Sequence, residues 1–271
     1  MKKKFLCAVL CFNNENTITK VIRDTNKIRN KIDILFINDY SKDKTLSILK
    51  KNKKKVISHK KNLGYGSAVK TAYKYALKNN YYLLSILPGD HQRSIDDLFK
   101  LIKHQKKSDF DLVSGSKFLS QNKLFISRKF GNIFFSKFAN FFWGSKFEDN
   151  LSGFKVYKVS KFKNIINKLP NDYSFDICLN QIIFRKNFFC SEIRVKCRYN
   201  NQTSKMKNIF NISERNILFI GFKMIYNSFI IFLRLNKFLF VLKKFTVSSI
   251  VWLKLIFNSP YFSFINGFNF I

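Results

Sequence analysis

The sequence is short of the residues that interrupt regular structure, and shorter still of acid. With three Pro, nine Gly and 46% hydrophobic residues among 271, global disorder is excluded and a large core can be buried. The five cysteines, Cys7, Cys11, Cys178, Cys190 and Cys197, form no CxxC pair and are odd in number. A disulfide framework or zinc ribbon is therefore not expected, and the thiols read as small buried hydrophobes. No run of eighteen apolar residues occurs, so no spanning helix is expected. The longest uncharged stretches near the end are 224–233, 245–253 and 255–271, the last broken by Asn, Gly and Pro.

Acid is the scarcest class: 16 Asp+Glu oppose 50 Lys+Arg, a net charge of +34. Such an excess suits nucleic acid or an anionic membrane. Arginine is scarce too, at nine of the 50 cations, although its planar fork is the natural phosphate reader. Lys, Asn, Ile and the 33 Phe rise together, which points to compositional drift across the chain and not to a designed patch. An anionic lipid surface is the partner class the charge suits next, and no nucleic-acid partner is expected. The opening Met1-Lys2-Lys3-Lys4 followed by Phe5 to Phe12 imitates a signal peptide. Its apolar run is short and leads into Asn13-Asn14-Glu15-Asn16 without a small-residue cleavage site, so a first buried strand is expected.

The length suits one α/β domain with an appended segment. Apolar runs predict strands over 5–12, 32–38, 55–59, 82–87, 111–116 and 190–198, and polar stretches between them predict helices over 17–29, 43–53, 66–79 and 94–106. Further helices are expected over 128–142 and 172–187. This alternation implies βαβ units, a mainly parallel Rossmann-like sheet and helices on both faces. Ligands of such sheets gather at the carboxyl ends of the strands.

Polar clusters stand at those ends. Asn13-Asn14-Glu15 follows the first strand and Asn38-Asp39-Tyr40-Ser41-Lys42-Asp43 the second, where Ser41 is expected to cap a helix with Asp43 at its positive end. Asn62-Leu63-Gly64-Tyr65-Gly66 opens a helix, where bare backbone N–H groups suit a phosphate or simply a turn. Pro88-Gly89-Asp90-His91-Gln92 sets a carboxylate two residues from an amide, which suits a hard divalent ion or an ordinary turn. Gly115-Ser116-Lys117 and Asp149-Asn150-Leu151-Ser152-Gly153-Phe154-Lys155 complete the series.

In this order the clusters resemble the family-2 glycosyltransferases, inverting enzymes of the type A fold that use nucleotide sugars. Asn13-Asn14-Glu15-Asn16-Thr17-Ile18 stands for N-E-E-x-T-I, and Asn38-Asp39-Tyr40-Ser41-Lys42-Asp43-Lys44-Thr45 for D-D-G-S-x-D-x-T. Asn62 to Ala68 stands for N-x-G-x-G-x-A, Asp90 and Gln92 for D-x-D-x-Q, Lys117 for the last residue of G-S-R, and Asp149 to Lys155 for D-x-x-S-G-F-R. The spacing is most similar to the polyprenol-phosphate sugar transferase branch, the dolichol-phosphate mannosyltransferase-like proteins. Arg198-Tyr199 followed by Ser204-Lys205 extends that likeness to residue 205.

The resemblance implies roles. Phe12, Asn13, Glu15, Asn38 and Asp39 would meet the nucleotide, Asp39 accepting a hydrogen from the base. Gly64 and Gly66 would lie near the diphosphate or ribose, and Lys117 near phosphate. Asp90 and Gln92 would hold Mg²⁺ or Mn²⁺. Asp149 is the implied catalytic carboxylate, a general base for a hydroxyl acceptor or an orienting group for a phosphate one. Lys155, Arg198 and Lys205 would offer cations to phosphate. The implied donor is a nucleotide diphosphate sugar and the implied acceptor a polyprenyl phosphate or a glycan, at the inner face of the cell membrane. Pro88 replaces the first acid of D-x-D, which leaves open a degenerate relative that only binds nucleotide or glycan. Residues 1–205 are thus read as the transferase domain. Residues 206–271, with six Lys, two Arg and one acid, Glu214, are read as a basic, Phe-rich amphipathic helical tail. That tail would lie in a membrane interface, pack on the domain or form a dimer surface.

Overall fold

A computed structural model describes residues 4–117, 133–134, 136–141, 144–198 and 217–235. Strand β1 (Phe5–Cys11) is the apolar run at the start of the chain. Leu6, Cys7, Ala8 and Val9 are all buried, so the strand is covered on both faces. It pairs in parallel with β2 (Asp33–Asn38) on one side and β4 (Leu83–Pro88) on the other, and β2 pairs in parallel with β3 (Val56–Ser58). β5 (Leu112–Ser116) pairs in parallel with β7 (Cys190–Arg194). Between β4 and β5 runs β6 (Lys155–Lys158), antiparallel to both. The order across the sheet is β3-β2-β1-β4-β6-β5-β7.

The expected helices form, with shifted ends. In α1 (Glu15–Asn26), Ile18, Val21, Ile22 and Thr25 are buried, the three-and-four spacing of a helix with one face inward. They join Leu49 of α2 (Thr45–Lys51) and Leu98, Leu101 and Ile102 of α4 (Ile95–Ser108) against Cys7, Val9 and Phe36 on one face of the sheet. α3 (Tyr65–Lys78) covers β1, β2 and β4 with Ala68, Ala72 and Ala76, small residues that let its backbone approach closely. Ser94 caps α4, its hydroxyl accepting from the Asp97 N–H and donating to the Asp97 carboxylate.

The mainly parallel sheet with helices on both faces is as the sequence implies. β6 is the strand that the pattern did not announce. It starts and ends in lysine, and the buried Lys155 disguises it as a loop. The expected helix over 172–187 is α5 (Phe175–Arg185). Of the one expected over 128–142, residues 133–134 and 136–141 are helical, and the rest lies outside the described residues. Of the tail, α6 (Ile217–Leu235) is described. Residues through Ser228 form one compact unit, and a second begins at Phe229. No helix among the described residues is long and apolar enough to cross a membrane.

Candidate active site

The parallel strands deliver their carboxyl ends to one edge of the sheet, and the tips of β1 and β2 are stitched together there. Asn13 adopts φ 50, a left-handed conformation that Asn tolerates. Its N–H donates to Ser41 Oγ and its Oδ1 accepts from Lys42 N. Glu15 N donates to Asp43, and the Glu15 carboxylate accepts from Lys44 N. Asn14 is buried, its Oδ1 accepting from Phe12 N at 2.8 Å. Asn38, also buried, donates to Ser58 Oγ and accepts from Ser41 N. Asn13, Glu15 and Asn38, expected to line the nucleotide, thus brace the two loops that would receive it, and Phe12 lies half-buried beside them. Ser41 does not cap α2. The helix begins at Thr45 with Lys44 before it, and Ser41 serves Asn13 instead.

Asp39 is 5% exposed at the tip of β2. Its carboxylate gathers the loop after β3, accepting from Leu63 N and Gly64 N at 2.9 Å each and from His59 Nδ1 at 2.7 Å. Gly64 takes φ 91. A Cβ there would lie 2.6 Å from Asn171 O, and one on Gly66 would lie 2.3 Å from Pro170 O. Both glycines are thus required by close packing on the 170–171 backbone. The approach of a phosphate is not needed to explain them.

At the tip of β4, Gln92 N donates to Asp90 Oδ1. His91 between them has φ 61, and its Nε2 lies 2.9 Å from Asp24 Oδ2 on α1. Arg198 is brought to the same turn. Its N–H donates to Gln92 O, and its guanidinium lies 3.4 Å from His91 Nε2. Arg198, distant in sequence, therefore shares one corner with Asp90 and Gln92.

Beyond the tip of β5, Lys117 and Asp149 meet. Lys117 N donates to Asp149 Oδ2, and the ammonium lies 3.6 Å from Oδ1. Asp149 is wholly buried, and its own N–H donates to Glu192 on β7. Burial pushes the Glu192 carboxyl above its ordinary range. The N–H bonds from Glu148 and Asp149 oppose that, and the charges of those two residues add to it. Among the described residues, Ser114 Oγ, Ser116 Oγ and Asp149 Oδ1 are buried without a hydrogen-bond partner, so this end of β5 is polar.

Lys155 is buried inside the fold, with its ammonium 2.8 Å from Asp176 on α5. Burial pushes Asp176 up, and Lys155 opposes the shift. Lys205 lies outside the described residues. His59, Glu192 and Asp176 were missed by the sequence reading. His59 and Glu192 lie in mixed polar stretches with no local pattern to flag them. The signal for Asp176 was a carboxylate on the inner face of an apolar helix.

Asp90 and Gln92 offer one carboxylate and one amide oxygen, hard donors that suit Mg²⁺ or Mn²⁺. No group of three His, Cys, Asp or Glu among the described residues could hold a metal ion. Two such donors suit a divalent ion that would take the rest of its shell from phosphate oxygens of a ligand.

Residues 7–166 match the family model described as Glycosyl transferase family 2. An uncharacterized protein of Methanocaldococcus jannaschii is 26% identical over 231 residues, covering 79% of this chain and 98% of that protein. The UDP-N-acetylglucosamine–dolichyl-phosphate N-acetylglucosaminyltransferase of Methanococcus voltae is 23% identical over 248 residues, covering 83% of this chain and 95% of that one. Among solved structures, glucosyl-3-phosphoglycerate synthase from Mycobacterium tuberculosis, in complex with Mn²⁺, UDP-glucose and phosphoglyceric acid, superposes with a TM-score of 0.58. It is 15% identical, and the match covers 74% of this chain and 72% of that one. This likeness is one of fold, the type A glycosyltransferase fold.

Proposed function

The chain belongs to glycosyl transferase family 2, and from that premise we propose that it moves a sugar, with inversion, from a nucleotide diphosphate sugar to a polyprenyl phosphate. The observation that carries the reading is the corner where Arg198 meets the Asp90–Gln92 turn. It unites a cation with two oxygen donors at the strand tips, beside the loops held by Asp39. Breaking the bond between the anomeric carbon and the diphosphate leaves the electron pair on a diphosphate oxygen. A divalent ion, when bound by Asp90 and Gln92, supplies positive charge against that oxygen. Arg198 adds a cation to the same corner. Asp39 orients the base, and Lys117 lies beside Asp149 ready to meet phosphate. An acceptor phosphate is already ionised, so its oxygen attacks without a general base. Asp149, held by Lys117 and through its backbone by Glu192, then orients the acceptor or the sugar.

The Methanococcus voltae relative, named for a dolichyl-phosphate acceptor, supports the lipid arm of the reading. A polyprenyl acceptor and a basic, Phe-rich tail support the inner face of the cell membrane as the place of the reaction. Pro88 at the first acid of the metal motif favours a second reading, a relative that binds nucleotide or glycan without transfer. The test is a panel of nucleotide sugars with polyprenyl phosphate in anionic vesicles, read by mass spectrometry of the lipid. One donor should yield a lipid-linked sugar. Nucleotide binding with no product from any donor, on lipid or glycan acceptors, would establish the second reading.

A further inference from the structure

We propose that His59 is a positioning residue for recognition of the donor's base, acting through Asp39; this rests on the reading of Asp39 as the base's acceptor. A chain of hydrogen bonds runs through the interior here. His59 Nε2 lies 2.8 Å from Thr71 Oγ1 on α3, and Nδ1 lies 2.7 Å from Asp39 Oδ1. The side chains of His59 and Asp39 are only 8% and 7% exposed. A carboxylate only accepts, so Nδ1 donates to Asp39, and Nε2 shares the second hydrogen bond with the Thr71 hydroxyl. The backbone fixes the same unit, since His59 N donates to Asn38 O and Asp39 N to Cys11 O.

The three donors are unevenly shared. Among the described residues, Oδ1 takes both His59 Nδ1 and Leu63 N, while Oδ2 takes Gly64 N alone. Each carboxylate oxygen accepts about two hydrogen bonds, so Oδ1 is filled and Oδ2 keeps one position. His59 and Leu63 thereby set the plane of the carboxylate and leave Oδ2 as the oxygen for a ligand. An acceptor at that point takes a base whose ring edge presents N–H, as uracil and guanine do. It rejects one that presents a ring lone pair, as cytosine and adenine do, because two acceptors then face each other without a proton. Without His59, Oδ1 loses its side-chain donor, the carboxylate can rotate, and the choice of base blurs.

Calorimetry with UDP, GDP, CDP and ADP in Mn²⁺ buffer, paired with steady-state kinetics, tests this. The wild type should favour UDP or GDP. His59→Gln keeps a group for Thr71 but not for Asp39, and should weaken the favoured diphosphate by about tenfold while leaving kcat at saturating donor near wild type. Its preference over CDP and ADP should shrink. His59→Asn places an amide N–H near the Nδ1 position and should restore most of the affinity. Thr71→Val, which frees Nε2 but keeps the ring, should fall between the two and carries the test if His59→Gln does not fold. Wild-type affinity and base preference in both His59→Gln and Thr71→Val would overturn the proposal, as would a loss in His59→Asn equal to that in His59→Gln. Asp39→Asn separates this from the parent reading. If it leaves the base preference intact, Asp39 is not the base's acceptor and that reading fails. If it abolishes the preference while His59→Gln does not, only the role of His59 falls.

Discussion

Lys155 on β6 and Asp176 on α5 form an ion pair at 2.8 Å, with side chains 0% and 4% exposed. The pair ties the antiparallel strand to the helix behind it and sits under the segment that carries Asp149. Lys155 also donates to Ser152 O, so one ammonium fixes both the helix and that segment. Removing one partner strands the other charge in the interior. Lys155→Met should therefore cost about 3–5 kcal/mol of stability. Adding Asp176→Leu to that variant should restore much of the loss, since an apolar pair of similar volume replaces a buried ionic one at little cost. Urea unfolding of the single and double variants measures both. A single variant as stable as the wild type would mean that the charge finds water.

Gly66 is the second point at which the fold admits no freedom. A Cβ there would lie 2.3 Å from Pro170 O and 2.8 Å from the Asn171 carbonyl carbon, both backbone atoms. Ser67 N also donates to Asn171 O at 3.1 Å, so the segment cannot easily withdraw. Gly66→Ala should cost about 1–3 kcal/mol by overpacking and lower the melting temperature by several degrees. Thermal unfolding checks it, and an unchanged midpoint would show that the 170–171 turn yields.

The strands with unbroken apolar runs were legible, because burial on both faces leaves no ambiguity of period. So were the polar tips, because a parallel sheet sends them all to one edge. What the sequence hid were pairings across space. Gly64 and Gly66 stood out as a motif, but the backbone that requires them lies at 170–171, about a hundred residues away. Lys155 matched a cation of the family pattern, yet its charge belongs to Asp176, 21 residues on, inside an apolar helix. Asn13, Glu15 and Asn38 were rightly sited at the tips, but their hydrogen bonds go to neighbouring loops, which spacing alone does not reveal. His59 had no pattern to announce it, since its meaning comes from Asp39 beside it and Thr71 on the next helix.

Glu192 makes stability depend on pH in a stated direction. Burial raises its folded-state pKa, the charges of Asp149 and Glu148 add to the shift, and two backbone N–H groups oppose it. A raised value means that the folded state disfavours the ionised form. Its contribution is therefore full below the ordinary carboxylate range, about pH 4, and is lost as pH rises through the folded pKa. Glu192→Gln removes that loss, so the stability difference should move in the variant's favour as pH rises above the ordinary carboxylate range. Urea midpoints of the two proteins across that rise in pH test it. A difference that does not change with pH would show that Glu192 titrates normally.

Asp90 is the only carboxylate in the Asp90–Gln92 turn, because Pro88 stands where a first acid is usual. A metal bound there depends on one charged ligand, one amide and the phosphates of the nucleotide, so protein and nucleotide should bind the ion together and poorly apart. Asp90→Ala removes the charged ligand and should abolish the dependence of UDP binding on Mn²⁺. The binding that remains should match that of the wild type without metal. Asp90 is half-buried and accepts from Gln92 N, so its truncation should cost about 1 kcal/mol, which the fold should survive. Calorimetric titration of UDP with and without Mn²⁺ reads the effect directly. If Asp90→Ala still gains affinity from Mn²⁺ as the wild type does, the ion is held elsewhere, and the corner that Arg198 shares with this turn would serve the nucleotide through cations alone.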